Sequence, residues 1–298
     1  MSREKDIRDD QIRVIGIGES NKKKRLLKWL VLLIILGIVI LSIGCILRYD
    51  RVYESKALEN AYYEPIISSI DSDGQLDLLV VNSILSEDSS YVAIIDTVIN
   101  DVPLNIYILR NLEFSLHVGP INKNDTTIVY AAQAADIRAD NGGIVGAFVL
   151  KGEPLARGLS KKGYCAIIDG KVSVGVAESS PLFERATERE GYFFRQFAFV
   201  DNGVLVENKP RGKYVRRAIC SYFGSIIIIE SLTKESYHDF AQVLVDFGVS
   251  NAVSLVGGTA YGWAIDGDGI RHEFGEEKIF SVSDKMKKNT NYLVCRKK

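Results

Sequence analysis

The sequence predicts an α+β fold, a largely antiparallel or mixed sheet with a few packed helices, preceded by a single transmembrane helix. Two observations predict the sheet: β-branched and aromatic runs of strand length, and tight turn residues between successive runs. A third predicts the membrane helix, since the 19 residues from Trp29 to Leu47 carry no charged side chain. A helix of that length rises about 28 Å, close to the hydrocarbon thickness of a bilayer.

Orientation of the span follows from its flanks. Lys22, Lys23, Lys24, Arg25 and Lys28 crowd the N-terminal side, whereas Arg48, Arg51 and Lys56 on the other side mix with Asp50, Glu54 and Glu59. The basic side is expected in the cytoplasm. Residues 1–28 then form a cytoplasmic tail, 29–47 the span, 48–60 a polar stalk and 61–298 one extracytoplasmic domain, periplasmic or extracellular. A cleaved signal peptide would have a shorter apolar stretch, an earlier start and a small-x-small cleavage site. Leu41-Ser42-Ile43-Gly44-Cys45 loosely resembles a lipoprotein processing site, but its serine is wrongly placed.

The strands follow in chain order. Leu76 to Val81, Tyr91 to Ile99 and Leu104 to Leu109 are β-branched or aromatic runs. A helix is expected from Thr127 to Ala139. Tyr164 to Ile168 meets Lys171 to Val176 across Asp169-Gly170, a hairpin signal, and a helix is expected from Pro181 to Arg189. Phe194 to Val200 meets Val204 to Glu207, and Arg217 to Phe223 meets Ile226 to Glu230 across Gly224-Ser225. Thr233 reads as an N-cap for a helix ending at Gly248, with Phe240, Val243, Leu244 and Phe247 on one face. Tyr261 to Ile265 pairs with Ile270 to Phe274 across Asp266-Gly267-Asp268-Gly269.

Composition narrows the function. With 37 basic against 38 acidic residues and 47% hydrophobic content, the chain lacks the basic excess of a nucleic-acid binder and the apolar poverty of a disordered one. Cys45 lies in the span, and Cys165, Cys220 and Cys295 are too scattered for a disulfide framework or a metal site, so buried apolar thiols are expected. The three histidines, His117, His238 and His272, build no ligand set. The Asp71-Ser72-Asp73-Gly74 and Asp266-Gly267-Asp268-Gly269 runs read as turns, since neither has calcium-loop spacing. No metal and no cofactor are expected. Zincin, P-loop and Rossmann patterns are absent, and Gly158-Leu159-Ser160-Lys161-Lys162-Gly163 misses a nucleophile elbow by one residue.

Four ordered segments carry a resemblance. Asp140-Asn141-Gly142-Gly143 is similar to Ile-Asn-Gly-Gly-Phe-Phe; Gly152-Glu153-Pro154 with Gly158, then Asp169-Gly170, to the following loop and hairpin; Arg216-Arg217-Ala218-Ile219-Cys220 to Arg-Thr-Ala-Ile-Gly. The helix from Thr233 then leads into Asn251-Ala252-Val253-Ser254-Leu255-Val256-Gly257-Gly258-Thr259-Ala260, which is similar to Asp-Ala-Leu-Asn-Leu-Asp-Gly-Gly-Gly-Ser. In order and spacing these resemble the phosphodiester glycosidase domain, the family of the enzyme that uncovers mannose 6-phosphate by removing N-acetylglucosamine. The resemblance covers Tyr91 to Phe274. It departs at Ile144-Val145, in place of an aromatic pair, and at Val256, in place of an acidic residue.

What the resemblance implies is a membrane-anchored hydrolase of sugar-1-phosphodiesters in envelope or extracellular glycans, with a glycan or sugar-phosphate as partner. The alternative is a non-catalytic module of the same fold that binds a glycan or an envelope partner, which Val256 favours. Expelling a phosphate monoester needs charge stabilisation more than protonation, and an arginine clamps phosphate oxygens bidentately. Arg216 is the matched candidate, with Arg217 on the opposite face of an extended segment, solvated or ion-paired. Gly142, Gly143, Gly257 and Gly258 would bring backbone N–H groups close to phosphate. Asn141 would bind a sugar hydroxyl, and Tyr261 is counted with the substrate-binding positions. For the base that activates water, Asp140, Asp266 and Asp268 stand open.

Overall fold

In the computed structural model, which describes Trp29 and residues 89–276 and 284–298, the isoleucine run 226–229 lies in a strand covered on both faces. That strand belongs to a seven-stranded sheet with the spatial order β1 (Tyr91–Ile99), β2 (Val102–Arg110), β13 (Ser225–Ser231), β12 (Arg217–Tyr222), β14 (Asn251–Leu255), β10 (Ala198–Asp201) and β11 (Val204–Leu205). Alternation sorts its side chains. Ile106, Ile108, Ala218, Cys220, Ile227 and Ile229 join one core cluster, while Tyr107, Leu109, Ile219, Ile228 and Val253 join another. A sheet buried on both faces needs no polar alternation, which is why these strands read as continuous apolar runs.

Two five-stranded sheets complete the core. One runs β16 (Arg271–Phe274), β15 (Gly262–Ile265), β4 (Ile128–Gln133), β17 (Asn291–Lys297) and β3 (Leu112–Val118). The other runs β6 (Glu153–Arg157), β5 (Ala147–Leu150), β9 (Tyr192–Gln196), β7 (Gly163–Ile168) and β8 (Lys171–Val176). Val129 and Leu293 of the one and Phe148 and Phe194 of the other pack with Tyr107 and Leu109 of the central sheet. The strand pairings within all three sheets are antiparallel, in line with the hairpins expected from the turn residues.

Helix α1 (Leu182–Glu188) covers the third sheet, where Ala186 packs with Val149 and Phe193. Helix α2 (Tyr237–Asp246) covers the first, with Phe240, Val243, Leu244 and Phe247 all buried in its cluster. A short α3 (Asp284–Asn289) precedes β17. The chain divides into units Met1–Tyr62 and Tyr63–Lys298, and every element above belongs to the second. Among the described residues no helix is long and apolar enough to cross a membrane. The tail, the expected span 29–47 apart from Trp29, the stalk and the strand Leu76 to Val81 lie outside those residues.

Three expectations need correction. No helix spans Thr127 to Ala139: Ile128–Gln133 is a strand, paired with β15 and β17, and the chain is irregular beyond it. Its alanines favour a helix, but Val129, Tyr130, Ala131 and Ala132 are all fully buried, so pairing and burial on both faces override local propensity. The cap of α2 is Ser236, whose hydroxyl accepts from the Asp239 amide at 3.0 Å, and not Thr233. The expected strand Phe194 to Val200 is two strands in two sheets: β9 ends at Gln196, β10 starts at Ala198, and Phe197 is where the chain crosses.

Cys165, Cys220 and Cys295 are free and buried, as expected. Burial pushes all three thiols well above the ordinary cysteine range, which leaves them protonated and inert.

Candidate functional site

One end of the central sheet gathers the starts of β10 and β12 and the ends of β13 and β14, because Arg217 is paired with both Glu230 and Leu255. Arg216 and Arg217 sit at that end and face opposite ways. Arg217 is 0% exposed and donates bidentately to Glu230, Nε to Oε2 at 3.1 Å and Nη2 to Oε1 at 2.8 Å. Its Nη1 donates to the Val256 carbonyl at 3.0 Å, Phe274 lies under the guanidinium, and the Tyr107 hydroxyl donates to the same carboxylate. This arginine is ion-paired and not solvated.

Arg216, 8% exposed, has a different set of neighbours. Its Nε donates to the Glu235 carbonyl at 2.9 Å and its Nη2 to the Gly212 carbonyl at 2.7 Å. The guanidinium lies 3.9 Å from the ring centre of Tyr237 and 5.3 Å from that of Tyr214. Burial lowers its pKa, with the two tyrosines pulling in the other direction. Among the described residues no carboxylate comes within ion-pairing distance of it.

Tyr237, the first residue of α2, connects Arg216 to a second charged group. Its ring lies 5.2 Å from that of Phe197, and the Phe197 ring lies 4.5 Å from the Lys161 ammonium. Lys161, 5% exposed, donates to Asp136 Oδ2 and to Gln196 Oε1. Burial lowers the pKa of Lys161 while Asp136 opposes the shift; burial raises that of Tyr237, which also feels the Asp136 charge. The fold places each of these. Gln196 and Phe197 occupy the crossing from β9 to β10, Asp136 follows β4, and the buried Arg195 fixes Lys161 by donating to its carbonyl at 2.9 Å. The Asp136 side chain is 43% exposed, so its carboxylate meets solvent at the edge of an otherwise buried group.

The second Gly-Gly lies against Arg216. Gly258 donates to the Val215 carbonyl at 2.8 Å, and a Cβ on Gly257 would stand 2.2 Å from that oxygen, so only glycine fits. Val256, where the resemblance calls for an acid, donates to the Gln133 carbonyl at 2.9 Å. What lies beside this turn is therefore the end of β4 and Val215.

The first Gly-Gly organises its own turn. Asn141 Oδ1 accepts from Gly143 at 2.9 Å, Asp140 Oδ1 accepts from the Asn141 amide at 2.8 Å, Gly142 donates to the Arg138 carbonyl, and Asn289 donates to Gly142. Three of the four glycine amides expected to meet phosphate, those of Gly142, Gly143 and Gly258, thus have protein acceptors. Asp266 shapes the β15–β16 hairpin. Its Oδ1 accepts from the Asp268 and Ile270 amides, and its Oδ2 accepts from His272 at 2.6 Å. Asp268 is exposed at the hairpin tip. Tyr261 lies beside Trp263 and under Lys123, its hydroxyl donating to Glu273 at 2.7 Å.

Of the expected residues, then, the structure gathers Arg216 with Gly257 and Gly258. Asp140, Asn141, Gly142 and Gly143 form one turn and Asp266 another. Asp136, Lys161, Gln196, Phe197 and Tyr237 were not expected. The one signal for them in the sequence is a lone aspartate closing the stretch 128–135, apolar but for Gln133. No group of metal-ligating side chains exists among the described residues.

Comparison with known proteins gives structural neighbours only. No family model matches the sequence, and no curated protein does. The zebrafish N-acetylglucosamine-1-phosphodiester alpha-N-acetylglucosaminidase catalytic domain, auto-inhibited by its pro-peptide, superposes with a TM-score of 0.49 and 14% identity, over 70% of this chain and 83% of that one. A hypothetical protein from Synechocystis superposes with a TM-score of 0.47 and 12% identity, over 69% of this chain and 62% of that one, so this chain spans less than two thirds of it. At these values the likeness is a distant one of fold and says nothing of activity.

Proposed function

We propose that the chain is a hydrolase of sugar-1-phosphodiester linkages in envelope or extracellular glycans, anchored through residues 29–47 with its main domain outside the cytoplasm. One observation carries the reading: a nearly buried guanidinium, Arg216, that no carboxylate among the described residues neutralises. Burying an unpaired charge is costly, and a ligand anion supplies the missing partner. Nε and Nη2 hold the Glu235 and Gly212 carbonyls and Tyr237 also hydrogen-bonds the guanidinium, so the N–H groups left over on Nη1 and Nη2 are the ones that can meet a phosphate.

Asp136 takes the role of base in this reading, in place of Asp140, Asp266 and Asp268. Lys161 holds its carboxylate in place, and its exposed edge can accept a proton from the water that attacks the anomeric carbon. Arg216 stabilises the charge on the departing phosphate monoester, so little protonation is needed. Phe197 and Tyr237 separate the two charged groups with an apolar floor.

The binding-module reading draws support from Val256, whose N–H and carbonyl both serve the backbone and Arg217 and whose side chain offers no proton acceptor. Incubating the purified full-length chain with a panel of sugar-1-phosphodiesters separates the two. Release of reducing sugar, lost in both Arg216→Ala and Asp136→Asn, is the outcome expected. Glycan binding without release from any member of the panel would replace the hydrolase by the module.

A further inference from the structure

The loop between β11 and β12 borders this site and carries charge that the site itself does not use. Asn208 pins its first end by donating to the Ala198 carbonyl at 2.7 Å and the Val206 carbonyl at 3.0 Å. Gly212 is pinned by Arg216, Tyr214 by paired main-chain bonds with Glu235, and Val215 by Gly258. Between the anchors at Asn208 and Gly212 stands the tip Lys209-Pro210-Arg211, exposed at all three residues, with proline stiffening its centre. The neighbouring Lys213 pairs with Asp239, but neither Lys209 nor Arg211 has an ion-pair partner among the described residues. Tyr214, 57% exposed, presents an aromatic ring between that tip and Arg216.

The geometry points to a polymer subsite: the basic tip, with Tyr214, holds an anionic glycan chain whose repeats are joined through phosphodiesters, while Arg216 holds the linkage to be cut. This rests on the hydrolase reading and names its substrate class. A tip anchored at both ends keeps its two charges in place at little entropic cost, and unpaired cations at a rim attract a polyanion more strongly than a single phosphodiester. An exposed tyrosine beside them offers a flat face to a sugar ring. A membrane surface would equally meet the charges, but it would leave unexplained their continuity with the phosphate clamp.

The test compares the full-length chain with its Lys209→Ser/Arg211→Ser variant on poly(N-acetylglucosamine 1-phosphate) and on the corresponding single-repeat phosphodiester. The ratio of kcat/KM for the polymer to that for the single repeat should fall about tenfold in the variant, and the salt dependence of polymer cleavage should flatten. An unchanged ratio, with both substrates cleaved, overturns the subsite and leaves the hydrolase standing. If neither substrate is cleaved by the unmutated chain, the hydrolase fails, and the subsite is read by polymer binding instead. Salt-sensitive binding weakened in the variant supports it, and equal binding overturns it. Loss in the variant of a preference for phosphatidylglycerol over phosphatidylcholine vesicles, with polymer binding intact, assigns the tip to a membrane and also overturns it.

Discussion

Arg217 and Arg216 are adjacent in the chain, yet the first donates to both carboxylate oxygens of Glu230 while the second donates to main-chain carbonyls and lies against two tyrosines. Both are almost withdrawn from water. The strand alternation that turns them to opposite faces gives one a full counter-charge inside the core and the other only dipoles and rings at its rim. Burial of an arginine is thus no sign of its role; its partners and its place in the sheet together are. A guanidinium matched by a carboxylate is part of the core, whereas one matched only by dipoles is either a pin, as Arg195 is for the Lys161 and Ala177 carbonyls, or, at a rim beside a Gly-Gly turn as Arg216 is, a candidate to meet an anion.

The largest expected effect breaks the first half of that contrast. Arg217→Ala leaves Glu230 buried without its counter-charge and should cost about 3–5 kcal/mol in chemical denaturation, whereas replacing Arg217 and Glu230 together by Met and Leu should restore most of it. A loss below about 1 kcal/mol would mean the pair is hydrated. On the other face, Arg216→Ala should lower turnover about a hundredfold, about 3 kcal/mol of transition-state stabilisation, while stability changes by less than about 2 kcal/mol. A variant that unfolds instead would make Arg216 a pin for the 212–216 loop and nothing more.

Smaller effects sharpen the same contrast. Gly257→Ala forces its methyl against the Val215 carbonyl and should cost about 1–3 kcal/mol, with a raised KM because Arg216 follows Val215 in the chain. An unchanged KM would separate the turn from the clamp. Asp266 gives the mildest case, an aspartate paired within a hairpin. Burial pushes its pKa up, but hydrogen bonds from His272 and from the Ile270 and Asp268 amides outweigh that and hold it below the ordinary 3.8. A lowered pKa contributes stability that is present above pH 3.8 and lost as pH falls through the folded value. Asp266→Asn should therefore cost about 1 kcal/mol at neutral pH and flatten the acid limb of the stability profile, with turnover unaltered. Loss of turnover would return Asp266 to the list of bases.

The hairpins were legible because their signals are local. Asp169-Gly170 and Gly224-Ser225 sit between apolar runs, and turn chemistry needs nothing beyond a few neighbours in the chain. The helix α2 was legible for the same reason, from its apolar face, although its cap lies three residues later than expected. Local reasoning failed at Ile128–Gln133, where alanine propensity pointed to a helix and only pairing with β15 and β17 makes a strand. It failed again at Phe197, which the sequence places inside one strand and the fold uses to cross between sheets. Of the site, Arg216 and Gly257 could be picked out by resemblance. Asp136, Lys161 and Tyr237 could not, since they lie 25 and 76 residues apart in sequence order and meet only through the sheet crossing.

If Arg216 is a charge open to an anion, calorimetric titration of inorganic phosphate into the full-length chain detects it. The unmutated chain and Arg217→Lys, which keeps the charge beside Glu230, should each bind one phosphate, and Arg216→Ala should bind none. Equal phosphate binding by the unmutated chain and Arg216→Ala would remove Arg216 from the phosphate site.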